Sequence, residues 1–226
     1  MKPSATSAAP IELSAADTEN MANAAYVRLR ESIIQMELPP GAILSEKVLC
    51  ASLGFSRTPI REALQRLERE YLVEIRPRRG ITVTEVDIPT QLQLLEMRRT
   101  IEMRLLIRGT ERASEKQRRV MADLAGRMDA CAQAADWRQY YALDAEFDAQ
   151  MDQAVANRFL TAAMHPVHAL VRRFWRMHQG SDMLAEALRQ HAAVVRAASQ
   201  GDADRVRALL TDLYDLNERF MRGLLS

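Results

Sequence analysis

Residues 45–84 read SEKVLCASLGFSRTPIREALQRLEREYLVEIRPRRGITVT. The order of signals in them predicts a short helix, a tight turn, a second helix and then a two-stranded ribbon. Leu49, Leu53, Ile60, Leu64 and Leu67 recur at helical spacing and supply the face on which the two helices pack. Gly54 suits the left-handed position that ends the first helix. Ser56 or Thr58 can cap the second, and Pro59 fits its first turn, where a missing N–H is no loss. Arg57, Thr58 and Arg61 fall at the start of that helix, where unpaired N–H groups and the positive dipole end favour phosphate. Arg76, Arg78 and Arg79 flank a turn that ends in Gly80, between Val73/Ile75 and Ile81/Val83. A basic turn of this form tracks a DNA backbone or enters a minor groove. The bland alternative is a helical hairpin with a solvated basic face. Two basic loci, each where a winged helix-turn-helix meets DNA, decide for the winged module and for double-stranded DNA as its partner.

The run from Tyr26 to Val86 resembles the DNA-binding domain of the GntR family of transcription regulators. Pro39-Pro40-Gly41 followed by Leu44-Ser45-Glu46 is similar to that family's L-x-P-G-x-x-L-x-E signature, and Ser56 to Leu64, SRTPIREAL, matches its recognition-helix signature. The resemblance implies DNA contacts at Lys47, Arg57, Thr58, Arg61 and the wing at Gly80, and the basic turn adds Arg78 and Arg79. Arg57 and Arg61 would read bases, since a guanidinium pairs bidentately with the guanine major-groove edge. Thr58 and Lys47 would hold phosphates.

The chain has 226 residues, 48% of them apolar and 27% charged, as an ordinary globular protein has. Its net charge of +1 carries no general basicity, so the DNA signal is local. Cys50 and Cys131 are far apart and belong to no zinc-finger spacing, which favours free thiols in a reducing compartment. No signal peptide is visible, and no apolar run approaches the roughly 20 residues of a membrane span. A cytoplasmic protein with no membrane partner is expected.

Residues 1–20 carry little pattern and are expected to form a disordered leader. Residues 21–86 form the winged domain and residues 87–226 an all-helical antiparallel bundle, so the fold class is mainly α. Start signals at Asp87, Ser114, Asp136, Asn157, Ser181 and Asp202 mark about six helices, the first running to about Gly109.

Polar residues on apolar faces are the informative feature of this second half. Tyr140, Asp144, Phe147, Asp148, Met151 and Val155 share one helix face, and two carboxylates there are costly to bury alone. His191 lies in line with Leu184, Leu188, Val195 and Ala198, and Arg98 falls among Leu94, Ile101 and Leu105. Singly, Arg98 could pair with Glu102 and His191 could be a hydrogen-bonded core histidine. Together the four predict a polar cavity that receives a ligand.

Residues from about Asp87 onward are similar to the FCD ligand-binding domain of the FadR branch, in its six-helix, VanR-like form. Arg98-Arg99-Thr100-Ile101-Glu102 corresponds to R-x-x-L-E, Asp144 to Asp148 to D-x-x-F-H, and His191 with Gly201-Asp202 to H…(G/R)D. The resemblance implies a divalent metal held by one Asp and three His. Here the set is Asp144, Asp148 and His191, with Leu213 where the last histidine would stand. Such a set could hold Zn²⁺, Ni²⁺ or Mn²⁺ more weakly than the full one, or have lost the metal. His165, His168 and His178 match no motif and read as surface or structural.

These features imply a homodimeric transcription regulator that binds a pseudo-palindromic operator. A small carboxylate-type metabolite, anchored on Arg98, would modulate its affinity. The rivals are a ligand-independent dimeric DNA-binding protein and a metal-dependent enzyme with a DNA-binding appendage.

Overall fold

The structure, a computed structural model, describes residues 15–225. They divide into two compact units, one ending at Thr84 and the other built mainly from Glu85 onward. The first holds helices α1 (Ala15–Ile34), α2 (Glu46–Leu53) and α3 (Arg57–Arg69) and strands β1 (Ile43–Leu44), β2 (Val73–Arg76) and β3 (Gly80–Val83). Leu49, Ile60, Leu64 and Leu67 are buried between the helices, and Leu29, Ile33, Leu72, Val73 and Val83 complete the core. The Tyr26 hydroxyl donates to Glu70 at 2.7 Å, and the Arg66 guanidinium lies 3.7 Å from the Tyr26 ring centre, tying α1 to the end of α3.

Two expectations change here. Helix α1 starts at Ala15, inside the segment expected to be a disordered leader; the rest of that segment lies outside the described residues. The ribbon has a third strand, in the order β1-β3-β2, with Ile43 opposite Thr82 and Leu44 opposite Ile81. Gly41, at φ 76°, turns the chain so that its N–H reaches the Val83 carbonyl at 3.0 Å. A strand of two residues is too short to show alternation in sequence.

The second unit is helical throughout its described residues. Helix α4 (Ile88–Met97) passes through a π turn, Arg98–Glu102, into α5 (Met103–Arg112). Then follow α6 (Glu115–Ala134), α7 (Trp137–Val155), α8 (Arg158–Met177), α9 (Asp182–Gln200) and α10 (Ala203–Gly223). Each start carries a capping side chain: Asp87, Ser114, Asp136, Asn157, Ser181 and Asp202 all accept from backbone N–H groups of the first turn. Ser114 and Gln117 form a reciprocal capping box.

The first helix of this unit does not stop at Gly109. It continues to Arg112, and Gly109 instead allows a close crossing: a Cβ there would stand 2.6 Å from Met151 Sδ on α7. Helices α6, α9 and α10 pack in sequence around Met121, Leu124, Val194, Val195, Leu210 and Tyr214. No helix among the described residues is long and apolar enough to cross a membrane.

Candidate nucleic-acid interface and buried polar cavity

In the first unit, α2 ends on Gly54 at φ 75°, whose N–H returns to the Cys50 carbonyl. Two residues on, Ser56 takes the extended backbone of an N-cap and α3 begins. Its hydroxyl makes no capping bond, contrary to the expected cap. Pro59 and Ile60 are buried, which turns Arg57, Thr58 and Arg61 outward. Arg61 Nε lies 2.9 Å from both carboxylate oxygens of Glu46. That contact brings the first turn of α2, with exposed Lys47, beside the first turns of α3. Glu46 holds the Arg61 guanidinium in place, a role the sequence reading missed although Glu46 belongs to the quoted signature.

In the wing, β2 and β3 pair from Val73–Val83 to Arg76–Gly80. The turn closes with Arg79 N–H on the Arg76 carbonyl at 3.0 Å, with Arg78 at φ 64° and Gly80 at φ 97°. Arg78, Arg79 and Gly80 are all exposed. A β-branched residue at Arg78 or Gly80 would strain this backbone.

The second unit contains a cavity of about 70 Å³ between α7, α8, α9, α10 and the π turn. Arg98, Asp144, Asp148 and His191 all line it, as expected. Each nevertheless has partners. Arg98 Nε donates to Glu102 across the π turn, and the Tyr214 hydroxyl donates to the same carboxylate at 3.0 Å. The π geometry widens one helical turn and so carries this pair to the cavity wall. Burial works against the Glu102 charge, but Arg98 outweighs it and keeps the carboxyl below its ordinary range. Arg98 Nη1 is buried with no hydrogen-bond partner.

On α8, His168 and Arg172 complete the cluster. Arg172 Nη2 lies 2.6 Å from Asp144 Oδ2 and 2.5 Å from Asp148 Oδ2, while its Nε donates to Asp144 at 2.7 Å. His168 Nδ1 lies 2.7 Å from Asp148 Oδ2, and its Nε2 is 3.7 Å from Glu102, too far for a hydrogen bond. Burial opposes the Asp148 charge, yet His168 and Arg172 together hold its carboxyl far down. Burial likewise opposes protonation of His168, and Asp148 reverses this, raising the imidazole above its ordinary value. His191 stands apart, with Nδ1 3.4 Å from the Tyr140 hydroxyl and 3.5 Å from Asp144 Oδ1. His168 is therefore part of the cavity and not an isolated surface or structural histidine. Its signal was the stripe Met164, His168, Arg172, Trp175, three or four residues apart on one helix face.

The divalent metal implied by the resemblance does not fit these residues as they stand. The facing oxygens of Asp144 and Asp148 are taken by a guanidinium, and Leu213 offers no donor. Among the described residues no group of three or more His, Cys, Asp or Glu side chains is arranged to hold a metal ion.

A winged helix-turn-helix unit followed by a helical unit with a polar cavity is the architecture of a DNA-binding protein with a second domain. Residues 21–83 match the family described as bacterial regulatory proteins, gntR family, and residues 93–216 match the FCD domain. The chain belongs to the GntR family, in its FCD-containing, FadR-like branch, and the relatives it matches are transcription regulators. It is 30% identical over 193 residues to an uncharacterized HTH-type transcriptional regulator of an unstable DNA locus in Streptomyces ambofaciens, covering 82% of this chain and 78% of that one. It is 26% identical to the HTH-type transcriptional repressor RspR of Escherichia coli K12, covering 85% and 86%. The fold is that of E. coli McbR/YncC, with a TM-score of 0.77 at 19% identity over 91% of this chain and 99% of that one. A putative GntR regulator from Rhodococcus sp. RHA1 superposes with a TM-score of 0.72 at 23% identity, covering 90% and 98%.

Proposed function

We propose that this regulator binds its operator as a homodimer and that a small anionic metabolite in the helical-domain cavity changes its affinity for DNA. Lys47, Arg57, Thr58, Arg61, Arg78, Arg79 and Gly80 make the DNA contacts, with Arg57 and Arg61 reading bases. The observation that carries the ligand reading is a pair of unsatisfied nitrogens at one cavity wall, Arg98 Nη1 and His168 Nε2. Buried polar atoms without partners are rare, and a ligand acid group is the natural acceptor for the Arg98 guanidinium beside an imidazole nitrogen. The cavity's 70 Å³ is about half of the ~150 Å³ that admits benzene, so the ligand has few heavy atoms unless the helices part. Tyr141 Oη and Asn217 Oδ1, also without partners, are available to its polar remainder. The protein acts as a regulator and not as an enzyme. Its DNA target and its free Cys50 and Cys131 suit the cytoplasm.

The test is a thermal-shift screen of short mono- and dicarboxylates, followed by operator binding with any stabilising acid. Stabilisation that disappears in Arg98→Gln or His168→Gln, with a change in operator affinity, is the expected result. Silence across the acids, with normal operator binding, would favour a regulator whose second domain only dimerises.

A further inference from the structure

Helix α3 buries Pro59, Ile60, Ala63, Leu64 and Leu67. At about 100° of turn per residue these five fill an arc of roughly 140°. Thr58 and Gln65 stand opposite the middle of that arc, seven residues apart in sequence and only about 20° apart around the helix. Both side chains are exposed. Their neighbours on the flanks are engaged within the winged unit: Arg61 lies on Glu46 from α2, and Arg66 reaches Asn23 and the Tyr26 ring on α1. We propose that Gln65 is a base-reading residue of this protein and that it reads adenine in the major groove. The proposal rests on the contact of α3 with DNA set out above.

Reach and chemistry both favour it. Seven residues of helix advance by about 10 Å, the rise of roughly three base pairs. A helix lying along the major groove with its buried side uppermost therefore brings Thr58 and Gln65 to the groove floor about three base pairs apart. Glu62 and Glu68, exposed on the same helix, are repelled by the phosphates. The Gln65 amide carries one acceptor oxygen and two N–H donors at the end of a long side chain. Adenine presents the N7 acceptor and the N6 donor side by side, and a carboxamide meets both at once. Guanine presents two acceptors there, so the amide oxygen would face an oxygen or nitrogen lone pair. Because the amide bears no charge, it adds little to non-specific attraction, and its effect falls on base choice.

The experiment is selection by the full-length protein from a duplex library with a randomised stretch, followed by anisotropy on the selected duplex and its single-base variants. Wild type should select a motif with adenine at a position that Gln65→Ala leaves without preference, every other position being kept. Gln65→Ala should bind the wild-type motif about tenfold more weakly and, at that one position, accept all four base pairs nearly equally. Alanine is the better helix former, so the exposed substitution leaves the fold intact. Gln65→Arg should move the preference there to guanine, whose O6 and N7 a guanidinium meets, a change that a structural role for Gln65 would not give. A Gln65→Ala motif identical to that of wild type, or one weakened evenly at all positions, would overturn the proposal. Arg57→Ala, run in parallel, separates it from the reading beneath. A motif changed by Arg57→Ala and untouched by Gln65→Ala defeats the adenine contact alone, whereas a wild type that selects no motif defeats both.

Discussion

Arg57 and Arg61 differ in how they wait for DNA. Arg57 is exposed in the first turn of α3, whereas Arg61 is held by Glu46. Replacing either by Ala should weaken operator binding roughly ten- to hundredfold and flatten base preference, measured by fluorescence anisotropy across single-base operator variants. Arg79→Ala should lower affinity evenly across sequences and reduce the salt slope by about one. Two recognition-helix variants with unchanged affinity would refute the assigned base readers. In the helical domain the decisive side chain is Glu102, whose charge is held by Arg98 and the Tyr214 hydroxyl. Glu102→Gln leaves Arg98 buried without its counter-ion and should cost about 3 kcal/mol at neutral pH. The folded carboxyl is depressed, so its contribution is present above the ordinary value of 4.5 and fades as pH falls through the folded value. Urea unfolding of wild type and variant should therefore converge as pH falls below the ordinary carboxylate range, and a gap that does not narrow at all in acid would contradict this account.

Helix ends were legible because capping is local chemistry. Asp87, Ser114, Asp136, Asn157, Ser181 and Asp202 each sit next to the N–H groups they satisfy, and nothing distant alters that. The inward faces of α7 and α9 were legible for the same kind of reason, since helical spacing alone puts Asp144, Asp148 and His191 among apolar neighbours. What those groups meet was not legible. Arg172 lies 28 residues from Asp144 in sequence, and only the packing of α7 against α8 makes them partners. The π turn was invisible because Arg98–Glu102 has the residues of an ordinary helix and differs only in hydrogen-bond register. Gly109 was misread as a stop because a glycine for close packing and a glycine for termination look alike in sequence. The two uses separate by substitution. Gly109→Ala should destabilise by about 1–3 kcal/mol through the clash with Met151. Gly126→Ala, on α6 with open space around it, should be neutral or stabilise by up to about 1 kcal/mol. Denaturant midpoints of the two variants decide the matter, and equal effects would rule out the crossing argument.

A single winged helix reads too few base pairs to find one site in a genome, which is the ground for the proposed homodimer. Sedimentation of the full chain should give a dimer at micromolar concentration, and so should residues 87–226 alone; a monomer in both would remove the helical domain as the dimer interface. The two proposed binding places differ in charge. The winged unit offers the exposed arginines Arg57, Arg78 and Arg79 to a polyanion. In the cavity three basic side chains (Arg98, His168 and Arg172) face three carboxylates (Glu102, Asp144 and Asp148). A balanced enclosure casts almost no field beyond its mouth, and therefore does not draw a small acid in from solution. Effector arrival, followed by stopped flow, should hardly change with ionic strength, while operator association slows steeply over the same range. In a cell whose salt content rises, the protein would loosen from DNA and yet meet the proposed metabolite at an unaltered rate.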